Sequence, residues 1–160
     1  MPLNSITYKE VFKHIKDNNL WLGYGFNAGN AYFAIDPLES KNFAKGVYDE
    51  KTGLVKFRNV TWGTNLDIKK RHELIDTIYT YEKYKDKYPK YDNYDAINVD
   101  KVAEIPMDYE GVMGVPITFL GKHNPKQFEV VGILKPQDRV VNGKRIYARI
   151  LIRKAKIQKE

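Results

Sequence analysis

Lys69, Lys70, Arg71 and His72 stand in a row inside "NLDIKKRHE" (65–73). A compact cationic cluster beside a strand end suits contact with a phosphate backbone, where ammonium and guanidinium groups displace counterions and fix register without reading bases. A solvated turn is the plain alternative. The whole chain leans the same way. Its 160 residues carry 27 Lys+Arg against 20 Asp+Glu, a formal net charge of +7. That balance favours a polyanionic partner, although surplus lysine also serves solubility alone.

Other chemistries find less support. "GYGFNA" (23–28) matches a loose dinucleotide fingerprint, but the fingerprint needs a helix to open at once so that its amides meet the pyrophosphate. Gly29, Asn30 and a non-periodic run follow instead, so a glycine-rich loop is the better reading. His14, His72 and His123 are far apart, and no two have metal-ligand spacing. No serine sits in a nucleophile elbow, and the absence of cysteine excludes disulfides, thiolate metal sites and thiol nucleophiles. Asp92 and Asp95 lie in a Tyr/Asn-rich loop, where aspartates more often make turns than acid–base pairs. No metal site and no catalytic residue is expected.

These side chains need elements to hold them. "SITYKEVFKHIKDNN" (5–19) predicts a helix. Thr7 and Glu10 have capping-box spacing and Ile6 and Val11 could staple across it. Tyr8, Val11, Phe12 and Ile15 share one face, and Asn18-Asn19 can end the helix left-handed. "LWLGYG" (20–25) reads as a short buried strand, "KTG" (51–53) as a turn, and "LVKFRNVTW" (54–62) as a strand. "ELIDTIYTY" (73–81) fits strand or helix equally, and 82–110 reads mostly as loop. "GVMGVPITFL" (111–120) and "QFEVVGIL" (127–134) read as buried strands, the first with a proline that points to an edge or bulge. Asn142-Gly143 is a strong hairpin signal. In the run after it, Ile146, Ala148, Ile150 and Ile152 are expected to pack while Arg145, Arg149 and Arg153 face outward.

Several longer stretches carry a resemblance. "SITYKEVFKHIKDNNLWLG", "NVTWGTNLDIKKRHE", "YPKYDNYDAINVDKVAEIPMDYEGVMGVPITFLGKHNPKQFEVVG" and "NGKRIYARILIR" resemble the EcoRI-type family of DNA adenine-N6 methyltransferases. The similarity is collinear and covers most of the chain, least in 23–53 and 134–141. The resemblance implies S-adenosylmethionine as cofactor and duplex DNA as substrate, with restriction–modification as the setting. It also implies two upstream loops: a glycine-containing one for the cofactor, and an Asn/Asp-Pro-Pro-Tyr/Phe loop for the target amino group. Neither occurs here, since Pro2, Pro37, Pro89, Pro106, Pro116, Pro125 and Pro136 include no adjacent pair. The chain is therefore expected to be the C-terminal portion of such an enzyme and not to bind the cofactor alone; a cloned fragment, a truncated gene and one half of a split enzyme all fit, the last implying a separate chain that carries the cofactor-binding part. The family has an aromatic or bulky residue where this chain has Gly63, which leaves either Trp62 as the stacking ring that a flipped base needs or a degraded pocket.

The expected fold class is α/β: the end of a methyltransferase-like mixed sheet plus a β-rich DNA-recognition region. Residues 1–81 belong to the catalytic part and 82–160 to the recognition part, with one compact domain as the alternative. DNA contacts are expected from Lys69, Lys70, Arg71, His72, Arg145 and Arg149. The base pocket is expected from Trp62, Asn65, Asn93 and Tyr94. "YPKYDNYDAINVDK" (88–101) reads as a shaped connection whose tyrosines pack and whose Asp92, Asn93 and Asp95 hold turns, with facing the active-site cleft as the alternative. A cytoplasmic location and no membrane contact follow from the lack of an apolar signal core or spanning run. A stand-alone nucleic-acid-binding module is the rival function, and a decayed gene product a third.

Overall fold

The computed structural model describes residues 1–24 and 30–156. The chain is a mixed helix–sheet structure with several sheets, in agreement with the α/β expectation at that level. Most of "GYGFNA" lies outside the described residues.

The first helix is shorter than its sequence signals. Leu3–Thr7 forms a 3-10 turn, the backbone extends at Tyr8, and α1 runs Lys9–Lys16. Tyr8 is the N-cap residue, without a side-chain cap, while Thr7 Oγ1 donates to Asn4 O at 2.7 Å. The capping-box expectation is thus corrected: Thr7 serves the preceding turn, and Tyr8 is exposed rather than on the buried face. Phe12 and Ile15 are buried as expected, and Asn18 ends the helix at φ 57°. That left-handed value is tolerated by asparagine better than by branched residues.

Short strands follow. β1 is Trp21–Leu22, β2 Asn30–Ala34, β3 Tyr48–Asp49, β4 Leu54–Arg58 and β5 Gly63–Thr64. Strands β2, β4 and β3 form a three-stranded antiparallel sheet, while β1 pairs with β5. β4 stops before the expected Trp62 because Asn59 turns left-handed at φ 51°. Residues 73–80 take neither of the two forms their sequence allowed, helix or strand.

The C-terminal half holds the main sheet. β6 is Lys90–Tyr91, β7 Tyr94–Asn98, β8 Met113–Pro116, β9 Phe128–Ile133, β10 Val140–Val141, β11 Lys144–Arg145 and β12 Arg149–Lys154. The five-stranded order is β6-β7-β8-β12-β9, antiparallel except for the parallel pair β7–β8. So 88–98, expected as loop, supplies two strands. Its polar look is misleading because β6 lies at the sheet edge, whereas Ala96, Ile97 and Asn98 are buried. Pro116 is likewise not an edge marker. It ends β8, a central strand, where its missing N–H costs the ladder little.

Both sheet faces are covered. Ile97, Met113, Val115, Ile150 and Ile152 share one cluster with Ile6, Phe12, Ile15 and Leu22, so the core draws on residues from both sides of position 81. Ala96 and Leu151 join Tyr91, Leu134 and Val141 on the other face. β12 is therefore buried on both sides, which accounts for its continuous apolar run. The outward placement expected for Arg149 is overturned: it is 8% exposed. Arg145 is exposed, as expected, and Arg153 is half-buried and paired with Glu129 across the β12–β9 ladder.

Candidate nucleic-acid interface

The cationic cluster at 69–72 forms a 3-10 turn that splits its side chains by direction. Arg71 points inward. Its Nη1 donates to His123 O at 3.2 Å and faces His123 Nδ1 at 3.2 Å, and Nη2 donates to Asn18 Oδ1 at 3.3 Å. The guanidinium lies 4.6 Å from the Trp21 ring centroid, a cation–π contact. Burial lowers the Arg71 pKa, but guanidinium starts so high that it stays charged. Arg71 thus ties the turn to α1's end and to the loop before β9.

The neighbours of Arg71 face the other way. Lys69 and His72 are exposed and Lys70 is half-buried. Lys70 Nζ donates to Gly23 O at 3.2 Å and sits 5.5 Å from the Tyr24 ring centroid. Its pKa is lowered by burial, partly offset by Glu73. His72 Nε2 meets Asp67 Oδ1 at 2.5 Å. Beside the turn stands Trp62, partly exposed, with Nε1 donating to Tyr24 O at 2.7 Å. A Cβ on Gly23 would overlap the Trp62 indole, and one on Gly63 would lie 2.7 Å from Leu20 Cδ1. Gly23 is therefore explained by the indole it accepts. A bulky residue at position 63 would have to displace Leu20.

The proposed base-pocket residues are not gathered in one cavity. Asn65 lines a depression of about 280 Å³ with Trp21, Arg71, His72 and Asn124. Trp62 is not among its walls. Asn93 and Tyr94 are exposed where β6 turns into β7, at the edge of the five-stranded sheet.

That β6–β7 turn grips the second hairpin. Asp92 accepts from Asn142 N and Gly143 N, both at 2.9 Å, and its own N–H donates to Val140 O. Asn142 and Gly143 adopt φ 50° and 78°, the left-handed pair a two-residue turn requires. Arg145 projects from this hairpin. Arg139, which the sequence reading passed over, lies near enough to Arg145 and Arg149 for their charges to lower its pKa, after the larger effect of burial. No periodic signal marks Arg139, because a 3-10 turn places it.

Arg149 belongs to a buried polar network. Its Nε donates to Asn98 Oδ1 at 3.1 Å, the same oxygen that accepts from Tyr91 Oη at 2.9 Å. Asn98 Nδ2 donates to Asp100 Oδ1 at 2.8 Å, which also lies 3.5 Å from Arg149 Nη2. A Cβ on Gly114 would overlap the Tyr91 hydroxyl.

His123 gives the site a measurable signature. Its Nε2 donates to Phe128 O at 2.6 Å, which leaves Nδ1 to accept from Arg71. Burial pushes its pKa down to about 4, with Arg71's charge adding to the shift and the Phe128 bond opposing it. The folded value is below the ordinary 6.5, so the contribution to stability is full above pH 6.5. It falls as the unfolded chain takes a proton the folded chain refuses, and the loss is complete below about pH 4. Over that window the protein should lose on the order of 3 kcal/mol through this group. Unfolding titrations of His123→Gln should show that increment missing; equal pH slopes in both proteins would contradict the assignment.

Comparison with known proteins decides the family. A profile for the Adenine-specific methyltransferase EcoRI family matches residues 2–159. The chain belongs to this EcoRI-type family. It is 45% identical to the Type II methyltransferase M.EcoRI of Escherichia coli over 98% of this chain and 49% of the relative. It is 34% identical to the Type II methyltransferase M.MgeORF184P of Mycoplasma genitalium (96% of this chain, 55% of the relative). It is 35% identical to M.MpnI of Mycoplasma pneumoniae (93% and 53%). The chain thus spans about half the length of these relatives. No solved structure matches it. Among the described residues no helix is long and apolar enough to cross a membrane, and no group of acidic or histidine side chains could hold a metal ion.

The family implies S-adenosylmethionine as cofactor, and the loose glycine fingerprint at 23–28, mostly outside the described residues, gains no support from its described part. After β1 the next described element is the strand β2, not a helix that could present amides to a ligand. Gly23, the described glycine of the loose fingerprint, is filled by Trp62.

Proposed function

We propose that this EcoRI-type chain is the C-terminal, DNA-contacting portion of an S-adenosylmethionine-dependent DNA adenine-N6 methyltransferase of restriction–modification type. Methyl transfer needs a separate part that carries the cofactor and target-amine loops. The observation that carries the reading is the turn at 69–72: one arginine anchors it from inside, Lys69 and His72 are exposed, and half-buried Lys70 bonds Gly23 O beside Tyr24, whose carbonyl accepts from the Trp62 indole. Cations beside an exposed indole match what an enzyme needs to grip a backbone and hold an extruded base.

In this reading Arg71 and Arg149 are positioning residues, and the phosphate contacts come from Lys69, Lys70, His72, Arg139 and Arg145. Trp62 is the stacking platform, and Asn65 lines the depression that Arg71 also lines. Asn93 and Tyr94 reach the same duplex from the hairpin edge. Residues 1–81 go with the catalytic part and 82–160 with recognition, on a shared core. The setting is the cytoplasm, where the duplex is.

The test is a salt titration of binding to duplex DNA. Wild-type affinity should be weak and steeply salt-dependent. Alanine at Lys69 and Lys70 together should flatten the slope of log affinity against log salt by roughly one unit per lost phosphate contact. A slope unchanged by that pair would move the DNA surface away from the turn.

A further inference from the structure

The segment Glu73–Thr80 has the form of an edge strand without a neighbour. It runs free of turn and bend, with side chains alternating between core and solvent: Ile75 is buried and Thr77 and Tyr79 half-buried, while Leu74, Asp76, Ile78 and Thr80 are exposed. Its inner edge is occupied. Gln127 closes a two-bond clasp on Ile75, with Ile75 N donating to Oε1 at 2.8 Å and Nε2 donating to Ile75 O at 2.6 Å. Further along, Met107 N donates to Tyr79 O at 3.3 Å. The outer edge is not occupied. Among the described residues none meets the backbone N–H or C=O of Leu74, Asp76 or Ile78.

Two further features surround this edge. Leu74 and Ile78 are 71% and 84% exposed, on the same face of the segment. A concave groove of about 630 Å³ runs alongside, lined by Leu22, Leu74, Ile75 and Val102 and by the charged Lys70, Glu73, Asp76 and Lys122. An open ladder edge beside a groove of mixed apolar and charged walls is a geometry that accepts an added strand, main chain giving affinity and alternate side chains giving register. Isolated folds usually guard such an edge with charge or proline. Here two bare aliphatics stand on either side of a single aspartate, Asp76.

We infer that this edge docks the half of the family's sequence that the chain does not span, which adds a β-strand alongside 73–80 and seats apolar side chains over Leu74, Ile78 and the groove. The occupant follows from coverage. Relatives are about twice as long, and the aligned region is 49–55% of each. Polypeptide of that extent needs a surface to pack on, and the groove and edge form a joint one. The inference rests on the two-part reading above but makes a separate claim about place.

The probe is the portion of M.EcoRI outside the aligned region, co-expressed with this chain and, as a positive control, with the rest of M.EcoRI. Binding should slow amide exchange at Leu74, Asp76 and Ile78 at least a hundredfold. The double variant Leu74→Lys/Ile78→Lys should weaken binding at least tenfold, while Tyr147→Lys, also on the surface, should not. Both substitutions fall on exposed side chains, so the free chain's unfolding curve should be unchanged. A complex in which those amides exchange freely and the double variant binds normally would overturn the docking surface and leave the two-part reading standing. A probe that pairs with the rest of M.EcoRI but never with this chain would overturn both. Protection of the three amides in a dimer of this chain alone would assign the edge to a second copy and overturn the inference.

Discussion

Asn98→Ala should destabilise the protein by about 3–5 kcal/mol, a large share of the stability of a domain this size. Asn98 is buried on β7, and one oxygen serves two donors: Tyr91 Oη at 2.9 Å and Arg149 Nε at 3.1 Å. Neither donor reaches water easily, since Tyr91 and Arg149 are themselves buried. Removing the amide leaves a phenol and part of a guanidinium unpaired in a low-dielectric site, which costs more than the bonds themselves. Asp100 Oδ1 at 3.5 Å is a distant substitute. Urea unfolding would read the loss as a lower midpoint with an unchanged slope. Asn93→Ala, at the exposed turn before β7, should stay within about 0.5 kcal/mol of wild type. A midpoint for Asn98→Ala equal to that of Asn93→Ala would mean the network contributes nothing.

Ile150→Ala should cost about 2–5 kcal/mol, because Ile150 is fully buried on the central strand β12 between β8 and β9. Simple alternation would make the neighbouring Arg149→Ala harmless. The structure reverses that expectation. Arg149→Ala should also destabilise, by about 1–3 kcal/mol, through its lost bonds to Asn98 and Ala148 and its lost packing. The salt slope of DNA binding separates the roles further: Arg145→Ala should flatten it and Arg149→Ala should not. Stability of Arg149→Ala indistinguishable from wild type would place its guanidinium at the surface and undo the assignment.

Much of the local structure was legible from residue types. Asn142-Gly143 dictates its hairpin, since asparagine and glycine accept the left-handed pair at least cost. Asn18 ends α1, and Phe12 and Ile15 face the core. The errors share a cause. Segment 88–98 looks like a loop because a strand's polarity is judged against water. Yet Tyr91 and Asn98 are buried against each other, and Asp92 is fixed by the Asn142-Gly143 turn fifty residues away. Tyr8 and Thr7 mislead because the chain re-enters from an N-terminal bridge, Pro2 to Val60, before α1 begins.

The sequence by itself determined the family, the positive charge and the C-terminal hairpin. These rest on composition, short-range turn chemistry and long collinear motifs, none of which needs a fold. Only the tertiary structure decided which of the cations at 69–72 are exposed and which are buried. Lys69, Lys70, Arg71 and His72 are indistinguishable as a string, but the turn aims Arg71 at His123 and Asn18 and leaves the others outward. Arg149 was likewise assigned by its strand's place, because a central strand with both faces covered has no solvent side. The same holds for the open edge at 73–80, whose neighbours on one side come from residues 107 and 127. Direction and burial depend on contacts distant in sequence, and local periodicity carries no information about them.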